Sequence, residues 1–267
     1  MDSSVAETPV QTNQKSLKIS RSGRWTAERR FYFGITIFFT AGLLLGFART
    51  FFFRPWFQEW AQAHGATEPF FHFHGAVFVA WFALLFAQTI LIATGRVNVH
   101  KRLGWIGAGL GVLMVVVGLI GGLIAAGRPT GFIDIPVPPL QFLVVPLGNS
   151  LLFGAFFALA ILKRRKPQTH KRFILIATIF LLEAAVARWP FPFMIAQLPV
   201  PGFTMTELCT DLFLLPIVAW DISSKGRLHP ATLWGGLSLI TFHLLRFFIS
   251  DTAIWLTFAK WAVGLVG

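Results

Sequence analysis

The chain of 267 residues has a single cysteine, Cys209, and that scarcity removes two classes of explanation. One thiol closes no intramolecular disulfide and builds no cysteine-based metal cage. Charge is also scarce: Asp, Glu, Lys and Arg make up 13% of the residues, against about 25% in soluble domains. Acids are the scarcest, 11 against 23 Lys and Arg. There is no phosphate-cradling glycine loop, HExxH, nucleophile elbow or paired catalytic carboxylate motif, so nothing positive points to hydrolytic or transferase chemistry. The first thirty residues are polar and carry no apolar h-region, and no cleavable signal peptide is expected there.

What remains is apolar. Hydrophobic residues make up 55% of the chain, and the mean hydropathy is +0.67. Seven stretches are long enough to cross a hydrocarbon core of about 30 Å as helices: Phe31–Phe52, Phe71–Thr94, Leu103–Ala126, Leu140–Leu162, Phe173–Trp189, Thr204–Asp221 and Ala231–Ile249. The fifth and sixth are short and carry charges. In lipid only a helix satisfies its own backbone within a single segment, so the expected fold is all-α, a seven-helix transmembrane bundle with short loops. The expected organisation is a disordered, basic cytoplasmic segment at 1–30, the transmembrane domain at 31–250, and an outer interfacial segment at 251–267.

Basic residues set the orientation. Seventeen of the 23 Lys and Arg fall in the N-terminal segment and in the second-to-third, fourth-to-fifth and sixth-to-seventh loops. Arg49, Arg54, Arg128, Arg188 and Lys260 lie on the other side, and Arg246 sits within a span. This positive-inside bias predicts a cytoplasmic N-terminus. It also accounts for the net charge of +12 without nucleic acid, and the expected partner is the lipid bilayer. Of the ten Trp, Trp81 and Trp234 lie deepest and are expected to pack inside the bundle.

Histidine recurs at helix starts. His100-Lys101-Arg102 opens the third span, His170-Lys171-Arg172 the fifth, and His229-Pro230 the seventh. They read either as interfacial residues or, for His100 with His170, as an inner pair of haem ligands. The third span also carries Gly107, Gly111, Gly118 and Gly122 on one face, which admits a closely packed neighbour.

The outer half of the bundle holds the unusual residues. His72 and His74 begin the second span, Glu183 and Arg188 lie in the fifth, Asp211 in the sixth, and His243 and Arg246 in the seventh. His243 follows Pro230 by thirteen residues, roughly 20 Å into the core. Ionisable groups there cost about 2.5–3.5 kcal/mol each unless they pair or meet water. One reading is a clasp pairing Glu183 or Asp211 with Arg246 or Arg188. The other is a site in which His74 and His243 hold haem or a metal, with His72-x-His74 as a metal pair. Pro146 and Pro216 interrupt the fourth and sixth spans, as in the broken helices of transporters.

The stretch Phe71–Gly118, with FHFHG, GRVNVHKRLG and the glycine-rich helix that follows, resembles a broad group of uncharacterised bacterial multi-pass inner-membrane proteins with an H-[KR]-R-L-G turn. THKRFILIAT is similar to the equivalent turn in small membrane proteins associated with assembly of haem-copper oxidases. The resemblance implies a bacterial inner-membrane location, a link to haem b or respiration, respiratory-complex subunits as partners, and His74, His100 and His170 as the residues concerned. Three functions are therefore weighed: a haem-binding or respiratory-assembly protein; a small-molecule or proton-coupled transporter lined by Glu183, Asp211 and Arg246; and an accessory subunit with no site of its own. A water-accessible cavity reaching Glu183 would favour the second.

Overall fold

A backbone in lipid has no water to bond, and the described residues fold accordingly into helices, with no β-strand beyond one isolated bridge, Gln197 to Thr204. The computed structural model describes residues 25–65, 68–200 and 202–266. The expected disordered segment falls mostly on 1–24, outside the described residues. The helices are α1 (Ala27–Phe47), α2 (Gln58–His64), α3 (Pro69–Ala93), α4 (Val97–Gly127), α5 (Pro139–Phe142), α6 (Val144–Leu162), α7 (Pro167–Val186), α8 (Met205–Asp211), α9 (Leu215–Lys225), α10 (Pro230–Ser250) and α11 (Ala253–Val263).

Five helical segments among the described residues are long and apolar enough to cross a membrane: Ala27–Phe52, Pro69–Ala93, Val97–Gly127, Pro139–Leu162 and Pro230–Ser250. The chain is a multi-pass membrane protein. Its polarity is inverted relative to a soluble fold. On α4 the inward face is glycine (Gly107, Gly111, Gly118, Gly121, Gly122), while Ile106, Val112 and Val116 are exposed. On α10 the buried face holds His243 and Arg246, and Leu237, Leu245 and Phe248 point outward. Exposed apolar stripes of this length are what lipid contact requires. Trp234, expected inside, is 65% exposed and belongs to this outer face. Trp81 is buried and donates from Nε1 to Thr178 Oγ1 at 3.2 Å.

Helices α1, α3, α4, α6 and α7 pack in a closed sequence: α1 on α3, α3 on α4, α4 on α6, α6 on α7, and α7 back on α1. Helix α10 lies against α6 and α7, and α8 against α7 and α10. Helix α7 is thus enclosed, with Leu175 to Glu183 buried without interruption. A helix screened from lipid by protein can carry charge, and α7 is not among the five apolar spans. The sixth predicted span is one rod interrupted at Leu212–Leu214 by a 3-10 turn, where Pro216 removes a backbone donor. In the fourth, the interruption falls at Leu143, just before Pro146.

Close approaches fix the ring. A Cβ on Gly46 of α1 would collide with the Ala185 carbonyl of α7, so these two backbones touch. At the end of the bundle where α7 and α10 begin, Arg172 and Asp221, both fully buried, form an ion pair, with Arg172 Nε donating to Asp221 Oδ1 at 2.9 Å. Asp221 Oδ2 also accepts from the His229 backbone at 3.0 Å and from Thr232 Oγ1 at 2.6 Å. Glu28 of α1 joins this end through Lys171 and Gln168. The segment expected to lie on the outer interface contains α11, which packs against α4 and α5 and leaves Ile254 and Trp261 exposed.

Candidate functional site

The ring encloses a cavity of about 280 Å³. It runs from the segments joining α1 to α3 and α4 to α5, represented by His64 and Phe132, down to Ser150, Phe180 and Glu183. Its walls are aromatic, with Phe51, Phe71 and Phe78 prominent, and the α4 side is smooth because Gly118, Gly121 and Gly122 face it. A Cβ at Gly121 would lie 3.0 Å from His74 Nδ1, so the imidazole rests almost on the α4 backbone. Past its last regular turn, α1 widens into a π-helical stretch, Ala48–Phe52, which brings Thr50 and Phe51 to the cavity. Such widened turns occur often at functional sites.

At the deep end Glu183 joins the cavity to a buried charge cluster. Its Oε2 accepts from Asn149 Nδ2 at 2.8 Å. Its Oε1 lies 2.7 Å from Arg246 Nη1, and its Oε2 lies 3.4 Å from His243 Nε2. His243, with no exposed surface, places its other nitrogen, Nδ1, 2.9 Å from Asp211 Oδ1. Arg246 also binds Glu207, whose Oε2 accepts from the Thr204 backbone at 2.7 Å and caps α8. His243 and Arg246 are three residues apart and share one face of α10. Asp211 is brought to them because α8 ends at the break above Pro216.

Three carboxylates therefore surround one guanidinium and one imidazole. With every acid ionised and the imidazole neutral, the cluster would hold two surplus negative charges in a low-dielectric interior. Burying surplus charge of one sign is costly, so the cluster is a place where positive charge is favoured. Glu183, His243 and Asp211 form a contiguous row of ionisable side chains leading from the cavity floor through α10 to α8.

The remaining residues singled out from the sequence are placed as follows. Arg188 lines the cavity and is exposed within it. It donates to the Ala184 carbonyl at 2.7 Å and lies over Phe47, and no carboxylate of the described residues is in ion-pair range. His72 is turned to the rim, with Nε2 3.0 Å from Arg54 Nη1, whereas His74 stacks on Phe78 inside. The two point apart, as residues two apart on a helix must. Among the described residues no group of three or more His, Cys, Asp or Glu is arranged to hold a metal ion. Both His243 nitrogens face carboxylates, Nε2 toward Glu183 and Nδ1 toward Asp211, whereas His74 is stacked on Phe78. At the opposite end, His170 Nδ1 meets the Ala160 carbonyl at 2.8 Å. His100 Nδ1 meets Gln88 at 2.6 Å in the amide orientation that satisfies both ends of Gln88.

The sequence alone did not single out Glu207 or the Arg172–Asp221 pair, whereas Asn149, just after Pro146, stood out as a polar spot in the fourth span. Glu207 had a local signal, the T-x-x-E capping pattern of Thr204 and Glu207. Arg172 and Asp221 are 49 positions apart and had none. Comparison with known protein families, curated proteins and solved structures finds no match for this chain.

Proposed function

We propose that the protein is a proton-coupled carrier of the bacterial inner membrane. In this reading seven segments span the membrane: α1, α3, α4, α5 with α6, α7, α8 with α9, and α10. The N-terminus is cytoplasmic and the cavity opens on the outer side. The observation that carries the reading is the cavity ending on Glu183, which is itself in contact with His243 and through it with Asp211. A solute site beside a protonatable chain near mid-membrane is the arrangement coupling requires. The break between α8 and α9 adds support, since interrupted helices in membranes line such sites. The asymmetry of Lys and Arg supports the orientation. Haem has weaker support than transport, because both His243 nitrogens face carboxylates. An accessory role would leave both the cavity and the surplus of acids without a purpose.

The test is thiol labelling in membrane vesicles with Cys209 replaced by Ala. Ala184→Cys, exposed on the cavity wall, is expected to react with a membrane-impermeant cationic reagent added from the outer side only. Met114 of α4 is 1% exposed and lies one turn beyond Gly118, away from the cavity. A carrier must open the other way in its cycle. Met114→Cys is therefore expected to become reactive from the cytoplasmic side when a pH gradient is imposed, and Glu183→Gln is expected to abolish that change. An inert Ala184→Cys rules out a wet cavity. A Met114→Cys that never reacts, beside a reactive Ala184→Cys, overturns transport in favour of a fixed binding site.

A further inference from the structure

We propose that the cavity takes a small aromatic carboxylate, held at its acid end by Arg188 and at its far end by Asn149; the inference rests on the reading of this cavity as the solute site. Cationic groups dominate its upper wall, but most have partners. Arg128 pairs with Glu68 at 2.7 Å, and His64 with Asp134 at 2.9 Å. Arg188 differs. Its guanidinium is exposed to the cavity, only one donor is used within the chain, and that donor goes to a carbonyl. A planar fork with free N–H groups facing an enclosed, apolar-walled space matches the two oxygens of a carboxylate.

The cavity also holds polar atoms with no partner. Asn149 is 9% exposed; its amide nitrogen is used by Glu183, and its Oδ1 is unpaired. Thr50 Oγ1, also in the lining, is likewise unpaired. Buried polar atoms in proteins nearly always have partners, so orphans lining one cavity mark where a ligand bonds. An amide oxygen accepts, which asks for a hydroxyl on the ligand.

Size agrees. A cavity of about 150 Å³ suffices for benzene, and this one, at about 280 Å³, has room for a ring with two substituents. Arg188 follows the end of α7, and Asn149 is bonded to Glu183 of the same helix, so both ends of the cavity are organised by α7. Phe51, Phe71, Phe78 and Phe180 supply the faces between.

The experiment is thermal unfolding of the full chain in detergent at neutral pH with 4-hydroxybenzoate, benzoate, 4-hydroxybenzyl alcohol and tyramine, each up to ~10 mM, ten times a millimolar dissociation constant. The expected order of stabilisation is 4-hydroxybenzoate, then benzoate, with no effect from the neutral alcohol or the amine. Arg188→Gln is expected to weaken 4-hydroxybenzoate binding about 10- to 100-fold, the worth of a charge-assisted bond, and Arg188→Lys to recover part of it. Equal stabilisation by the alcohol or the amine, an Arg188→Gln protein that binds normally, or no effect of either acid overturns the proposal. Equal binding of the two acids overturns the Asn149 contact. Saturable acid binding in a protein whose Met114→Cys never reacts removes transport and leaves the ligand class standing. Alternating reactivity without acid binding does the reverse.

Discussion

Replacing Arg246 with alanine isolates the energetics of the buried cluster. The side chain is 4% exposed and is the only fixed cation touching both Glu183 and Glu207 among the described residues. Its loss leaves two carboxylates facing each other across the gap. Neither is wholly abandoned, since Glu183 keeps the Asn149 amide and Glu207 keeps the Thr204 backbone. Removing one partner of a buried ion pair costs about 3–5 kcal/mol. For a chain of this size that is a fall in Tm of roughly 6–20 °C. Two further variants separate charge from packing. Arg246→Lys restores the charge but, as a point cation, reaches one acid well, and should recover about half of the loss. Adding Glu207→Gln to Arg246→Ala removes one of the stranded charges and should raise Tm above that of the single variant. The assay is tryptophan fluorescence during heating in one detergent at one scan rate, because unfolding of such proteins is often irreversible. An Arg246→Ala protein within about 1 kcal/mol of the parent, or a double variant no better than the single one, refutes the buried-pair argument.

Gly46→Ala should destabilise by about 1–3 kcal/mol, since its Cβ lands on the Ala185 carbonyl. Gly34→Ala on the same helix, with nothing within 4 Å, should stabilise by about 0.5–1 kcal/mol, and unfolding of the two proteins side by side checks the contrast. Trp81→Phe should cost about 1 kcal/mol beyond its lost area, by removing the donor to Thr178, while Thr178→Val in the Trp81→Phe background should add little. His229, just ahead of α10, is held below the ordinary histidine pKa by burial and then by the Arg172 charge. The unfolded chain therefore binds the proton more readily, and stability should fall as pH drops from about 6.5 toward the folded value. In His229→Gln that part of the pH dependence of Tm should vanish.

The apolar spans were legible because lipid asks the same thing of every exposed position. Helix α10 is the clearest case, with Leu237, Leu245 and Phe248 outward and only one face free to hold His243 and Arg246. The fifth and sixth spans were harder to read for the converse reason. Helix α7 is wrapped by protein, so its composition answers to neighbours rather than to lipid. Depth alone flagged Glu183, Asp211, His243 and Arg246, but no spacing reveals which acid faces which base. Arg246 bonds Glu183, Asp211 faces His243, and Arg188 takes neither acid. Trp234 misled because depth in the bilayer and depth in the protein are different quantities. It lies in the early turns of α10 and takes the outer face.

The enclosure of α7 also constrains how the chain is made. In the seven-span reading proposed above, synthesis delivers α7 to the membrane before α10 exists, so Glu183 would enter with neither Arg246 nor His243 to meet it. A lone acid at that depth disfavours insertion by about 2.5–3.5 kcal/mol. In that reading the segment is a late arrival in biogenesis. It is held first by its basic start and by contacts with α1 and α6, and locked only when the C-terminal part of the chain brings its counter-charges. Ribosomes stalled before Pro230 should leave α7 readily extracted, and the same segment should resist extraction once residue 250 has entered the membrane.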